Sequence, residues 1–225
     1  MTQMALAVAL DDQATFDNFY APTGTLQYLA LSCLRESKQS YFYLSGEAGT
    51  GISHLLQAAC QNRPGSVYMA LDEVSEYPAE NVLQGLEERT LVCLDDLQTV
   101  ANQPAWQDPL FHFFNRCVDS GTPLVCAAHC PADALGVTLA DLLSRLKSGI
   151  SLHLSDYRDE DLRRLMQYRA NRRGLYLPDE VARYLLSRTT RSTRTLMNAL
   201  DAIDAASLAS QRRITLPLVK SIFNL

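Results

Sequence analysis

Lysine and long apolar runs are both scarce in this sequence. Only three of the 225 residues are lysine, against 17 arginines, and none lies between residues 39 and 146. No apolar run reaches the roughly 18 residues that a membrane helix needs. The N-terminus lacks the basic start of a secretory signal. Glycine and proline, at 10 and 9 residues, exclude a collagen-like or largely disordered chain. We therefore expect a folded protein without a membrane segment.

The six cysteines stand mostly inside apolar stretches, such as LVCLDD at 91–96 and PLVCAAHC at 123–130. Buried free thiols of this kind are typical of a reducing compartment rather than of a disulfide framework, which predicts a cytoplasmic protein. Cys126, His129 and Cys130 leave a metal site open as an alternative. Two thiols and one imidazole without a second pair of ligands favour structural packing instead.

The net charge of −5 hides an asymmetry along the chain. Residues 1–150 carry a net charge of −10, and residues 151–225 carry +5. A difference of this size predicts two modules with different surfaces. The negative total also argues against strong direct binding to DNA, whose phosphates attract basic proteins.

Hydrophobic periodicity predicts alternating strands and helices up to about residue 155, and only helices beyond it. Strands that alternate with helices form a parallel sheet covered on both faces. We therefore predict a flexible arm over 1–15, an α/β domain with a five-stranded parallel sheet over 16–155, and a small helical domain over 156–225. The predicted strands are 41–45, 66–70, 90–96, 123–128 and 150–154. The predicted helices are 25–37, 53–61, 78–86, 105–119, 138–146, 159–173, 178–188, 192–209 and 215–224. Inward faces are assigned to Leu26, Leu29, Ala30 and Cys33 in the first helix, and to Phe111, Phe114 and Val118 in the helix over 105–119.

The segment GEAGTGIS at 46–53 follows a predicted strand and opens a helix. Its spacing is that of a phosphate-binding P-loop, in which glycines let backbone N–H groups converge on phosphate oxygens. Ile52 stands where the P-loop lysine belongs, and no other lysine is near in sequence. Losing that cation should weaken triphosphate binding more than diphosphate binding. A tight glycine turn without a ligand is the alternative. The candidate phosphate-binding residues are Gly46, Gly49, Thr50, Gly51, Ile52 and Ser53.

Two carboxylates, Asp95 and Asp96, end the apolar run LVCL at 91–94. Open α/β sheets bind ligands at the carboxyl ends of their strands. This pattern indicates a Walker B strand, in which Asp95 and the Ser53 hydroxyl hold Mg²⁺ and Asp96 activates water. A helix cap or a solvated pair of carboxylates is the alternative.

The order of these motifs resembles that of AAA+ modules, and more closely that of the DnaA/Hda family of replication proteins. The resemblance covers nearly the whole chain. The sequence stops after the helical domain, and no part of it matches the DNA-binding domain of DnaA. In this respect it is similar to the short, Hda-type members. The matching segments are TFDNF at 15–19, SHLLQAA at 53–59, LLSRL at 142–146 and RSTRTL at 191–196.

The resemblance implies roles for particular residues. Phe19 and Tyr20 would lie near the base of a bound nucleotide, with core packing as the alternative. Arg194 would reach the nucleotide from the helical lid, unless it is simply one more exposed arginine. Arg145 would enter a partner's nucleotide site as an arginine finger, unless it caps its helix or pairs with Asp141. His129 departs from the family, whose members usually carry Asp or Asn there, and with Ile52 it argues against hydrolysis in this chain's own site.

The family resemblance also implies partners. The arm contains Gln3, Met4 and Leu6, a Gln-apolar-x-Leu pattern with which Hda-type proteins dock on the β sliding clamp. A disordered or packed N-terminus is the alternative. The implied activity is negative regulation of replication initiation: the clamp-docked chain, bound to ADP or a similar nucleotide, stimulates hydrolysis of DnaA-bound ATP. Self-association is also expected. An autonomous ATPase similar to a helicase loader and a DNA-binding module are the competing functions.

Overall fold

A computed structural model describes residues 10–36 and 40–223 of the chain. These residues form two compact units that meet in sequence between Ser155 and Asp156. No helix within the described residues combines the length and apolar character needed to cross a bilayer.

The first unit is built on a sheet of five parallel strands. The strands are β1 (Tyr41–Ser45), β2 (Val67–Ala70), β3 (Val92–Asp95), β4 (Leu124–Ala128) and β5 (Ile150–His153). They lie side by side in the order β2-β3-β4-β1-β5. The predicted five-stranded parallel sheet is therefore confirmed. The register pairs Ser45 with Ala128 and with His153, so the carboxyl ends of the three strands β4, β1 and β5 reach the same edge.

Helices cover both faces of this sheet, as a parallel sheet requires. They are α1 (Leu26–Glu36), α2 (Ile52–Gln61), α3 (Leu71–Val74), α4 (Ala79–Leu83), α5 (Pro104–Ser120) and α6 (Ala140–Leu146). One apolar cluster joins α1 and α2 to the sheet and includes Phe42, Leu44 and Leu56. The other joins α4, α5 and α6 to the opposite face and includes Trp106 and Phe113.

The second unit is helical throughout. Its helices are α7 (Asp159–Arg172), α8 (Asp179–Arg188), α9 (Thr193–Ser210) and α10 (Leu216–Phe223). Ser192 caps α9 by accepting a hydrogen bond from the N–H of Thr195, the arrangement that a serine N-cap provides. Arg173 pairs with Asp201 at 2.6 Å and so ties the end of α7 to α9.

Two predicted inward faces are wrong in part. Leu26 and Leu29 are 41% and 45% exposed, because α1 turns Gln27 toward the sheet instead. The buried Gln27 amide donates a hydrogen bond to the backbone carbonyl of Ser155, which compensates for its burial. Val118 is 56% exposed near the end of α5, where Cys117 takes the inward position.

Some predicted boundaries also differ. The helix predicted over 78–86 is the shorter α4, followed by a separate 3₁₀ turn at Leu86–Glu88. Gly85 separates the two, because it adopts a left-handed conformation that a continuous helix excludes. The helix predicted from 138 begins at Ala140, and the four-residue helix α3 has no counterpart among the predictions.

Candidate nucleotide site

The glycine-rich segment forms a loop between β1 and α2. Gly51 lies in the left-handed region, with φ of 93°, and no side chain caps the first turn of α2. The N–H groups at the start of α2 are therefore open to an anion, toward which the positive end of the helix dipole also points. Thr50 is buried and its hydroxyl donates to the Glu47 carbonyl at 2.8 Å, which stiffens the loop. A side chain at Gly46 would lie 2.5 Å from the Leu154 carbonyl oxygen, so only glycine fits there.

Ile52 does not point out of this loop as a phosphate-binding lysine would. Its side chain is 7% exposed and belongs to the apolar cluster beneath α2. Its Cδ1 lies 3.3 Å from the position that a Cβ at Gly46 would take. The loop thus keeps backbone donors for phosphate, while its lysine position contributes apolar packing instead of positive charge.

Phe19 packs directly against the loop. Its ring is 6% exposed, and a Cβ on Gly51 would come within 2.6 Å of its Cε2 atom. The ring also lies 5.5 Å from the imidazole of His54, which is hydrogen-bonded to the Thr15 carbonyl at 2.8 Å. Phe19 therefore supports the loop from the core side. Contact of Phe19 or the half-buried Tyr20 with a base stays a prediction.

Asp95 stands at the carboxyl end of β3 and is only 4% exposed. Its carboxylate accepts a hydrogen bond from the Tyr68 hydroxyl at 2.8 Å, and the Ser53 hydroxyl favours its charged form. Burial raises the pKa of Asp95, and the hydrogen bonds from Ser53 and Tyr68 oppose that rise. A buried carboxylate beside a hydroxyl at the phosphate-binding loop has the oxygen ligands that Mg²⁺ takes. The residues present therefore fit a magnesium ion.

Asp96 lies beside Asp95 with a left-handed backbone, φ 55°. Its Oδ1 accepts a hydrogen bond from the Gln98 amide at 2.9 Å and lies 3.4 Å from His129 Nε2. The backbone N–H of His129 in turn donates to Gln98 Oε1 at 3.1 Å. This places the unusual His129 next to Asp96, with Gln98 bridging them. Asp96 is thus held by polar contacts at the edge of the sheet where a bound phosphate would lie.

Tyr68 and Gln98 belong to this polar cluster, although the sequence interpretation did not single them out. Tyr68 reaches Asp95 because β2 lies beside β3 in the sheet, with Ala70 paired to Asp95. Strand order is a long-range property, and no local signal in the sequence indicates it. Gln98 follows Asp96 by two residues, a spacing that could have marked it as a neighbour of the carboxylates.

Arg145 lies in the last turn of α6 and is half-buried. Within residues 10–36 and 40–223 its guanidinium has no ion pair, so the alternative pairing with Asp141 one turn earlier is not formed. Arg194 is exposed in the first turn of α9, and it too has no carboxylate partner in the described part of the chain. Both arginines are free to bind another group.

Cys126, His129 and Cys130 do not converge. Cys126 is 2% exposed within the apolar core, and burial raises the pKa of its thiol to about 12. His129 faces Asp96 instead. Among the described residues, no three metal-ligating side chains come together. The clamp-binding residues proposed in the arm, Gln3, Met4 and Leu6, lie outside the described residues.

Comparisons with known proteins agree with this architecture. Residues 159–223 match the family model of the Hda lid domain. The chain is 40% identical over 232 residues to an uncharacterized protein of Haemophilus influenzae, and the match covers 99% of each. Domain III of the replication initiation protein DnaA from Thermotoga maritima superposes with a TM-score of 0.76 at 21% identity, over 96% of this chain and 97% of that one. DnaA from Aquifex aeolicus with bound AMPPCP gives 0.72 at 24% identity, over 87% of this chain and 66% of that one. The two DnaA structures show that this chain shares their fold.

Proposed function

We propose, from the premise that the chain belongs to the DnaA/Hda family of AAA+ proteins, that it is a negative regulator of replication initiation. In this proposal it stimulates hydrolysis of the ATP bound to DnaA and thereby inactivates the initiator. The chain acts as the activating partner, and the hydrolysing site belongs to DnaA.

The observation that carries this proposal is the state of Arg145. Arg145 is half-buried in the last turn of α6, and its guanidinium has no hydrogen-bond or ion-pair partner among the described residues. An arginine suits a partner's phosphates because its charge is permanent and its donors form a rigid fork. Placed in a partner's site, it would stabilise the charge that develops on the γ-phosphate. In GTPase systems such an arginine contributes about 10³–10⁵-fold in rate.

The chain's own site suits a nucleoside diphosphate, with ADP as the first candidate. The loop offers backbone N–H groups, which hold phosphates without a lysine. The buried Ile52 supplies no charge for the γ-phosphate. Ser53 and Asp95 would hold Mg²⁺ with the diphosphate, and Arg194 would contact the phosphates from the lid. The bound nucleotide would then serve to order the chain rather than to be turned over.

The sliding clamp is the second partner in the proposal. Gln3, Met4 and Leu6 fit the pattern of a short extended peptide that places a glutamine and apolar side chains in separate pockets. Docking there would bring the regulator to DNA that has just been replicated, in the cytoplasm. Self-association is a further part of the proposal.

An autonomous ATPase similar to a helicase loader is the second candidate. The pairing of Ser53 with Asp95 favours it, because this hydroxyl and carboxylate form a Mg²⁺ site of the kind that hydrolysing P-loop proteins use. The apolar Ile52 opposes it, since no lysine then neutralises the transferred phosphate. The two functions differ in which protein hydrolyses ATP.

A single-turnover experiment separates them. DnaA is loaded with labelled ATP, free nucleotide is removed, and the chain is added with the clamp on DNA. The proposal expects the label to turn to ADP much faster than on DnaA alone, while the chain incubated alone with ATP shows almost no turnover. A basal rate on DnaA would contradict the proposal, and rapid turnover by the chain alone would favour the ATPase.

A further inference from the structure

The short helix that carries Arg145 is fixed at both ends by buried polar side chains from other elements. We propose that Gln107 and Tyr41 are positioning residues for Arg145, which hold α6 so that the guanidinium meets a partner's phosphate in one orientation. This inference rests on the proposed function, because it assigns to Arg145 the role described there.

Gln107 fixes the start of α6. It lies on α5 and is 4% exposed. Its Oε1 accepts three hydrogen bonds, from the N–H of Thr138 at 3.1 Å, the hydroxyl of Thr138 at 3.0 Å and the N–H of Leu139 at 2.8 Å. Leu139 is the N-cap residue of α6 and caps it with no side chain of its own. Gln107 therefore anchors the two residues that lead into α6 to a neighbouring helix.

The same side chain carries an unusual cost. Its Nε2 is buried and has no hydrogen-bond partner. A buried amide donor left unpaired opposes folding, and an apolar residue there would avoid the cost. The three hydrogen bonds to the residues at the start of α6 offset this cost. A requirement that α6 be held in one position explains why a glutamine stands here instead of an apolar residue.

Tyr41 fixes the other end. Its hydroxyl donates to the Leu146 carbonyl at 3.0 Å, in a buried contact at the residue that follows Arg145. Its ring packs edge-on against Phe114 of α5, with the ring centroids 4.6 Å apart. A Cβ on Gly149 would collide with the Tyr41 ring, so the chain after α6 also packs closely against it.

Both contacts lead back to the long helix α5. Gln107 and Phe114 are seven residues apart, which is two turns, and so they lie on the same face of α5. The inner face of α6 packs into the core through Leu142 and Leu146, which are 1% and 3% exposed. Arg145 lies between these anchored points. A displacement of about 1 Å in a catalytic geometry can lower the rate about a hundredfold. An arginine finger therefore depends on the anchoring of α6 more than an ordinary surface arginine would.

The test uses the full chain and conservative variants. Tyr41→Phe removes only the hydroxyl that holds Leu146, and Gln107→Met removes the acceptor of the three bonds together with the unpaired amide donor. Gln107→Glu keeps an acceptor at that position and serves as the rescue variant. Tyr43→Phe is the matched control, because Tyr43 lies on the same strand and donates an equivalent bond to the Cys130 carbonyl at 2.8 Å, away from α6.

Two measurements are made on each variant. Amide hydrogen exchange over residues 138–148 reports how firmly α6 is held. Single-turnover hydrolysis on the ATP-bound partner, at rising concentrations of the chain, separates the maximal rate from the half-saturating concentration. We expect Tyr41→Phe and Gln107→Met to speed exchange in α6 and to lower the maximal rate about tenfold or more, with half-saturation unchanged. Gln107→Glu should restore most of the rate, and Tyr43→Phe should keep it.

Several outcomes overturn the inference. If exchange in α6 does not change, the two side chains do not hold the helix. If exchange rises while the maximal rate stays at the level of Tyr43→Phe, the contacts serve stability alone. If Arg145→Ala retains full stimulation in the same assay, Arg145 is not the finger and the positioning role fails, although the chain still activates its partner. If the parent chain itself gives no stimulation, the proposed function fails. The parent chain and Arg145→Ala together therefore distinguish the two failures.

Discussion

The contact between Phe19 and the glycine loop allows a quantitative prediction. Replacing Gly51 with alanine places a Cβ 2.6 Å from the Phe19 Cε2 atom and 3.3 Å from its Cζ atom, on a residue with φ of 93°. The left-handed conformation costs an alanine about 1–2 kcal/mol, and overpacking a buried ring costs about 1–3 kcal/mol. We expect Gly51→Ala to lower the free energy of unfolding by about 2–5 kcal/mol.

Three further variants separate these contributions. Gly121→Ala is the matched control, because Gly121 has φ of 71° and no atom lies within 4 Å of the added Cβ. It should cost only the backbone contribution of about 1–2 kcal/mol. Phe19→Leu removes the ring atoms that an alanine at Gly51 would meet. The double variant Phe19→Leu with Gly51→Ala should therefore be less destabilised than the sum of its single variants, by about 1–3 kcal/mol.

Urea unfolding followed by circular dichroism measures all four proteins. Equal losses for Gly51→Ala and Gly121→Ala would refute the steric contact with Phe19. Additive losses in the double variant would refute it as well. Calorimetry on the same proteins should also show weaker nucleotide binding for Gly51→Ala, since the loop must shift to accept the Cβ, and unchanged binding for Gly121→Ala.

Two other predictions follow from the candidate site, and one concerns the N-terminal arm. Burial raises the pKa of Asp95, so the folded state disfavours the charged form of this carboxyl group. The stability that the protonated carboxyl contributes is fully present below its unfolded pKa of about 4. That stability is lost as pH rises through the folded pKa. Asp95→Asn should therefore melt at a higher temperature than the parent at pH 7, with the gap closing toward pH 4, and a lower melting temperature at pH 7 would contradict this. The variant should also lose any stabilisation by Mg²⁺ with ADP. Ile52→Lys should raise ATP affinity relative to ADP in calorimetry, and an unchanged ratio would show that the loop does not depend on this side chain. Gln3→Ala with Met4→Ala should abolish binding to the clamp in surface plasmon resonance at an unchanged melting temperature, and undiminished binding would place the clamp contact elsewhere.

Local patterns in the sequence predict most of the fold. Short apolar runs bounded by turn residues, such as YFYLS at 41–45, correspond to strands because a parallel sheet buries both faces of its strands. The spacing of glycines at 46–51 predicts a loop between strand and helix, and the structure has that loop between β1 and α2. These features depend on neighbours in sequence, which is why a single chain is enough to find them.

Features that depend on distant residues were not predictable. The outward turn of Leu29 and the inward turn of Gln27 in α1 depend on a hydrogen bond to Ser155, 128 residues away. The contact of Tyr68 with Asp95 depends on strand order. The support of α6 by Gln107 depends on the packing of two helices. In each case a buried polar side chain forms a hydrogen bond with a group from a distant part of the chain.

The most direct test of the account is the rate at which DnaA-bound ATP is hydrolysed in one turnover with saturating Arg145→Ala, the clamp and DNA present. The account predicts the loss of most of the stimulation, on the scale of about 10³-fold that an arginine in trans contributes, with this chain's own nucleotide binding and melting temperature unchanged. Arg145→Lys should fail nearly as badly, because an ammonium does not reproduce the rigid fork. Arg89→Ala, which changes another exposed arginine of the same unit, should keep full stimulation. Full stimulation by Arg145→Ala, or loss of the chain's own nucleotide, would contradict the account.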